Sequence, residues 1–210
     1  MLVVAPHSDD ETIGAYGLIR LQRLRGARVR VLVVTDGAAS HPGSVRWPKR
    51  RLTAERRRET RRAMQRIGVT AAQVTFLGLP DGALTAAAPS ALRRIGRAVR
   101  RMAGLKLLVA PSGDDAHPDH RAVALEVARA GTAGCRRLSY LVWPTPRHGG
   151  ALRALALGPA ALAKRTAIRR YRTQTGAITD DPSGFTIAPH ELRAFSHPLE
   201  CYREERRCGR

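Results

Sequence analysis

The chain has 210 residues and a formal net charge of +20, from 37 basic against 17 acidic side chains. The basic residues are all arginine except Lys49, Lys106 and Lys164. A hydrophobic content of 43% excludes global disorder, and no apolar run approaches the roughly 18 residues of a transmembrane helix.

The elements follow from hydrophobic period. Residues 2–5 (LVVA) are a β-type run. Residues 12–26 carry Ile13, Leu18, Leu21 and Leu24 at helical spacing, and Gly26 closes them. Residues 29–35 (VRVLVVT) predict the clearest strand of the chain. Residues 50–68 set Leu52, Met64 and Ile67 among many charges, a solvated helix ending at Gly68. Residues 73–77 predict a third strand, 89–103 a helix, 105–110 a fourth strand, 118–130 another helix and 138–142 a fifth strand. Strands alternating with helices imply right-handed parallel βαβ units. The expected fold is α/β, a Rossmann-like open and mostly parallel sheet with helices on both faces.

Residues 1–145 are expected to form that core, and 146–210 a helical and loop extension packed on the same domain. Pro144, Pro146, Gly149 and Gly150 mark a loop. Residues 151–170 read as helical with a break at Gly158-Pro159, residues 176–190 as turn-rich, and residues 201–210 as a charged, frayed end. Cys135, Cys201 and Cys208 are odd in number and without CxxC spacing. Met1 runs into the first strand without a basic leader. A reduced, cytoplasmic chain is the expectation.

The charge invites a nucleic-acid partner. The competing reading is that arginine fills ordinary solvent-facing helix positions. Aromatic residues are only 4%, which leaves little for base stacking, and no nucleic-acid-binding signature is visible.

Chemistry concentrates in two segments. Pro6-His7-Ser8-Asp9-Asp10-Glu11 follows the first strand, and Asp114-Asp115-Ala116-His117-Pro118-Asp119-His120 follows the fourth. Both lie at carboxyl ends of parallel strands, where open α/β sheets bind ligands. Imidazole with carboxylate suits a divalent metal, zinc above all, with ferrous iron the other candidate. His7 and Asp10 are close enough to reach one ion, and His120 can supply a third ligand. Asp9 is then free to take a proton from water, and His117 to stabilise or protonate the reacting group. Taken singly, Asp9, Asp10 and Asp119 also read as helix caps or first-turn acids.

These residues resemble the LmbE-like, or PIG-L, family of zinc-dependent N-acetylglucosaminyl deacetylases. PHSDDE stands where the family has [AP]-H-P-D-D-E, with Ser8 in place of the middle proline, and HPDH follows about 110 residues later. Thr35-Asp36-Gly37, Arg56 to Glu59 with Ile67-Gly68-Val69, Leu77 to Gly82, and Lys164 to Gln174 extend the similarity over residues 2–175. The resemblance implies His7, Asp10 and His120 as metal ligands and Asp9 as the general base. It implies that His117 stabilises the oxyanion and protonates the leaving amine, and that Asp119 orients a histidine. Arg56 and Asp81 fall where relatives hold sugar hydroxyls or phosphate-like groups; a helix salt bridge with Glu59 and a turn before Gly82 are their structural alternatives.

The function so implied is removal of acetyl from an N-acetylated amino sugar or its conjugate, with an anionic conjugate left open by the arginines. The alternatives are deacylation of another amide, or a non-enzymatic basic protein on the same scaffold. Specificity is expected in loops 37–50, 80–88 and 144–160 and in the C-terminal segment, with Trp143 and Trp47 as stacking platforms and His41 at the same edge. No sequence feature indicates the oligomeric state.

Overall fold

A computed structural model describes residues 1–102, 104–132, 134–144 and 151–205. His148 and Cys208, with the rest of residues 145–150 and 206–210, lie outside the described residues.

The strands are β1 (Leu2–Ala5), β2 (Arg30–Thr35), β3 (Val74–Leu79), β4 (Leu107–Pro111), β5 (Arg136–Tyr140), β6 (Leu152–Ala156) and β7 (Leu199–Glu205). All seven form one sheet in the order β3-β2-β1-β4-β5-β7-β6. The first five are parallel, and β7 runs antiparallel to both β5 and β6. The helices are α1 (Asp10–Leu24), α2 (Lys49–Gln65), α3 (Pro89–Arg100), α4 (Pro118–Arg129), α5 (Ala160–Ile168) and α6 (Pro189–Phe195). Proline begins α3, α4 and α6, where its missing N–H is not needed.

The parallel strands are buried on both faces, so their side chains divide between two cores. Val3, Ala5, Val31 and Val33 join Ile13, Ile19, Met64 and Ile168 on one face. Leu2, Val4, Leu32 and Val34 join Ile95, Val99, Val123 and Val127 on the other. From β1 the chain winds outward through β2 and β3, then crosses back to β4 on the other side of β1. This reversal between β1 and β4 opens a crevice beyond their carboxyl ends, where both His/Asp segments begin.

Two expectations fail at the far edge of the sheet. Residues 152–156 are a strand, not the first turns of a helix; only 160–168 are helical. Residues 199–205 are not frayed, because β7 is hydrogen-bonded between β5 and β6. Pairing overrides propensity in both, since β7 is bonded on both sides and β6 gains a ladder along β7 by closing the edge.

β7 also completes α1. That helix departs from helical geometry at Ala15 (φ −147°, ψ 15°). The Glu200 carboxylate accepts the Gly17 and Leu18 N–H groups at 2.9 and 3.1 Å, and Lys164 Nζ lies 3.1 Å from it. Gly14 and Gly17 let the bent helix sit close to the sheet. A Cβ on Gly14 would fall 2.3 Å from the Tyr140 ring, and one on Gly17 2.1 Å from Leu157.

Candidate active site

His7, Asp9 and Asp10 leave β1 in a sharp turn. Asp9 has φ 122°, the one positive φ of a non-glycine residue among those described. Its carbonyl accepts the Thr12 and Ile13 N–H groups, both at 2.8 Å, which starts α1. Opposite, His117 caps α4: its Nδ1 accepts the Asp119 N–H at 3.1 Å. His120, one turn into α4, is fully buried.

Three donor atoms converge. Asp10 Oδ2 lies 3.2 Å from His7 Nδ1 and 3.2 Å from His120 Nε2, and those two nitrogens are 3.3 Å apart. A tetrahedral ion with bonds of about 2.1 Å sets its ligand atoms roughly 3.4 Å apart, so the triangle fits a divalent metal. His117 also brings a ring nitrogen within 4.8 Å of those of His7 and His120.

Carboxylates hold the imidazoles from behind. Asp119 Oδ2 and Asp81 Oδ1 stand 3.3 and 3.2 Å from His7 Nε2. Asp119 also accepts the Gly82 and Leu84 N–H groups at 2.8 and 3.0 Å, and Asp81 accepts that of Ala39 at 3.0 Å. Asp115 Oδ2 stands 3.1 Å from His120 Nδ1. Sequence reasoning assigned Asp115 no role, and the only signal for one was its place in the second segment.

These contacts set the protonation of the metal-free site. Burial lowers His7, but bonds to Asp10 and Asp119 outweigh it and raise it to about 10. His120 is raised to about 9 against its own burial, mainly by Asp10 and Asp115. His117 is lowered, by burial and then by the charges of His7 and His120, and so stays neutral. Burial holds the Asp9 carboxyl well above the usual carboxylate range, with Arg56 pulling it back. Glu11 is raised to about 7 by burial.

Arg56 is the buried arginine of α2, 3% exposed beneath the turn. It donates to the carbonyls of Ser8 (2.8 Å) and Gly37 (3.2 Å) and lies 3.8 Å from Asp9 and 3.9 Å from Asp81. Glu59 instead accepts from Thr173.

The resulting cleft has a volume of about 210 Å³. Pockets for drug-sized ligands measure roughly 300–1,000 Å³, so this smaller cleft suits one end of a substrate. His7, Asp9, Asp10, Arg56, Asp81 and His117 form its polar wall. Trp143, Phe185 and Phe195 form the apolar wall opposite, with Trp143 edge-on to both phenylalanines. Trp143 thus stands at the cleft, whereas Trp47 lies under Arg51 and His41 packs against Gly184, neither lining it. The 180–185 loop, within the stretch read as turn-rich, forms part of the rim: Phe185 donates to the Ser40 carbonyl, and Asp180 and Asp181 accept from residues 43–46.

Fold and cleft together define an α/β domain with a His/Asp group able to hold a divalent metal at the switch point of its sheet. The chain belongs to the PIG-L family: the family model described as GlcNAc-PI de-N-acetylase matches residues 2–130. No curated protein sequence matches the chain. Among solved structures it is similar to N,N'-diacetylchitobiose deacetylase from Pyrococcus horikoshii, with TM-score 0.70, 21% identity, and 84% of this chain and 70% of that one covered. It is also similar to a conserved protein from Thermus thermophilus, with TM-score 0.68, 25% identity, and 92% and 83% covered. A third is the A40926 pseudoaglycone deacetylase Dbv21, with TM-score 0.67, 18% identity, and 100% and 98% covered. No helix among the described residues is long and apolar enough to cross a membrane.

Proposed function

We propose that this protein is a divalent-metal-dependent deacetylase acting on an N-acetylated amino sugar or its conjugate. The observation that carries the reading is the donor triangle of His7, Asp10 and His120 in a cleft that Asp9 and His117 also line. Family membership and the named activities of two structural relatives support it.

His7, Asp10 and His120 would hold the metal, with zinc the first candidate. When bound, it supplies Lewis-acid polarisation of the amide carbonyl and acidifies water. Asp9 takes the proton of the attacking water on a carboxylate oxygen. His117 accepts at Nδ1, so its neutral ring carries hydrogen on Nε2, a donor for the developing oxyanion. Giving that hydrogen away would leave an imidazolate. The proton taken by Asp9 is therefore the one returned to the amine nitrogen as the C–N bond breaks. Asp119 fixes His7, and Asp81 remains the residue for a substrate hydroxyl. The terminal nitrogens of Arg56 are engaged by backbone carbonyls, so its part is to hold the Asp9 turn.

Metal analysis with a free-amine assay over a panel of N-acetylated sugars, sugar phosphates and simple amides tests the reading. Bound divalent metal and amine release from the sugars are expected. No metal and no amine, even with added zinc, would overturn it.

A further inference from the structure

We propose that Tyr171 is a positioning residue that acts through Glu11 to hold the Asp9 backbone in its left-handed conformation. The inference deepens the proposed function and rests on Asp9 being the base of that reaction.

A positive φ is unfavourable for any residue with a side chain, and such a conformation persists only where its surroundings hold it. At Asp9 every flanking peptide group is pinned. Its carbonyl is engaged by the first turn of α1, and the preceding carbonyl, of Ser8, by Arg56. Its own N–H donates to Glu11 Oε2 at 3.2 Å. The other oxygen of Glu11 is held in turn: the Tyr171 hydroxyl donates to Oε1, and Thr12 Oγ1 donates to the same atom at 3.2 Å. Glu11, Thr12 and Tyr171 are all fully buried.

Tyr171 does not line the cleft, so it reaches the chemistry only through Glu11. Its own place is fixed from α2. Thr173, two residues on, donates through its N–H and hydroxyl to Glu59, one turn after Arg56 on that helix. One helix thus anchors both ends of the clamp: Arg56 at the Ser8 carbonyl, Glu59 at the segment that delivers Tyr171. Without the Tyr171 hydroxyl, Glu11 Oε1 keeps only Thr12, and the buried carboxylate can turn away from the Asp9 N–H.

The test is Tyr171→Phe. A base displaced by about 1 Å loses on the order of 100-fold in rate, so kcat is expected to fall about 10- to 100-fold. KM and bound-metal stoichiometry should stay within about two-fold of the wild type. In an Asp9→Asn background the same change should cost nothing further. Glu11→Gln keeps an oxygen to accept the Asp9 N–H and turns its NH2 toward the Tyr171 hydroxyl oxygen, which then accepts instead of donating, and should retain activity within about three-fold, whereas Glu11→Ala should match Tyr171→Phe. A crystal structure of Tyr171→Phe should show Asp9 moved from φ 122°. Wild-type kcat in Tyr171→Phe, an equal loss in both backgrounds, or an unmoved Asp9 backbone would each overturn the clamp. The crystal structure decides without turnover, so an inactive wild type counts against the proposed function alone.

Discussion

Asp115 stands directly behind His120, with its Oδ2 3.1 Å from Nδ1 and both side chains shut away from solvent. The carboxylate is itself rigid, because it accepts the N–H groups of His117, Val142 and Trp143 at 2.9, 2.9 and 3.2 Å. It thereby fixes which nitrogen of His120 faces Asp10 and His7. Carboxylates in this position typically contribute 10- to 100-fold to metal affinity. Asp115→Asn should weaken zinc binding by about that factor in a chelator competition, and His120→Ala should abolish it. Unchanged affinity in Asp115→Asn would remove the residue from the centre.

Asp9→Asn separates metal binding from turnover. The amide is nearly the same size, and Asp9 is not one of the three converging donors. Bound zinc should remain at the wild-type ratio. Loss of a positioned base typically costs about 10²- to 10⁴-fold, read here as kcat for amine release. A variant that also lost its metal would make Asp9 a ligand.

The residues of the two segments were legible because each is local in the chain, follows a clear strand, and needs only the sheet topology to meet the other. Their supports were not. Glu11 and Asp115 stand inside the segments, where Glu11 reads equally as a supporting group or a first-turn helix acid, but what they hold is set by partners that only the folded chain brings close; Tyr171 is 160 residues from Glu11. β1, β2 and β4 were legible as near-continuous apolar runs, while β5 starts two residues before the expected 138–142 because its first two positions are Arg136 and Arg137. β6 was not legible, since LRALA is built of good helix formers. β7 was hidden for another reason. Its inward positions are Glu200 and Tyr202, so a buried carboxylate stands where alternation calls for an apolar residue.

That carboxylate is a point where a single change should cost stability. Glu200 accepts Gly17 N–H, Leu18 N–H and the Tyr202 hydroxyl, and pairs with buried Lys164. Glu200→Ala strands two helix N–H groups and an unpaired ammonium, and should destabilise by about 3–5 kcal/mol. Lys164→Met leaves Glu200 three donors and should cost less, about 1–3 kcal/mol. Urea unfolding midpoints measure both. Equal losses would mean that the ion pair, and not the capping of bent α1, is what matters.

The metal-free site should be a proton store. His7, ordinarily near 6.5, is raised to about 10, and His120 to about 9. A histidine raised on folding contributes stability that is fully present below about pH 6.5 and is lost as pH climbs through its folded value. The Tm of the metal-free protein should therefore fall between about pH 7 and 10, while that of the zinc-loaded protein changes little over the same interval. Metal competes for the same nitrogens, and its ligands must give up their protons to bind. At about pH 7 both histidines are protonated, so zinc should release roughly two protons per ion. Its apparent affinity should rise with pH until about 9 and flatten near 10. Zinc titration in a weakly buffered indicator solution reads the protons directly. Binding without proton release, together with a flat Tm profile for the metal-free protein, would show that neutral imidazoles already await the ion.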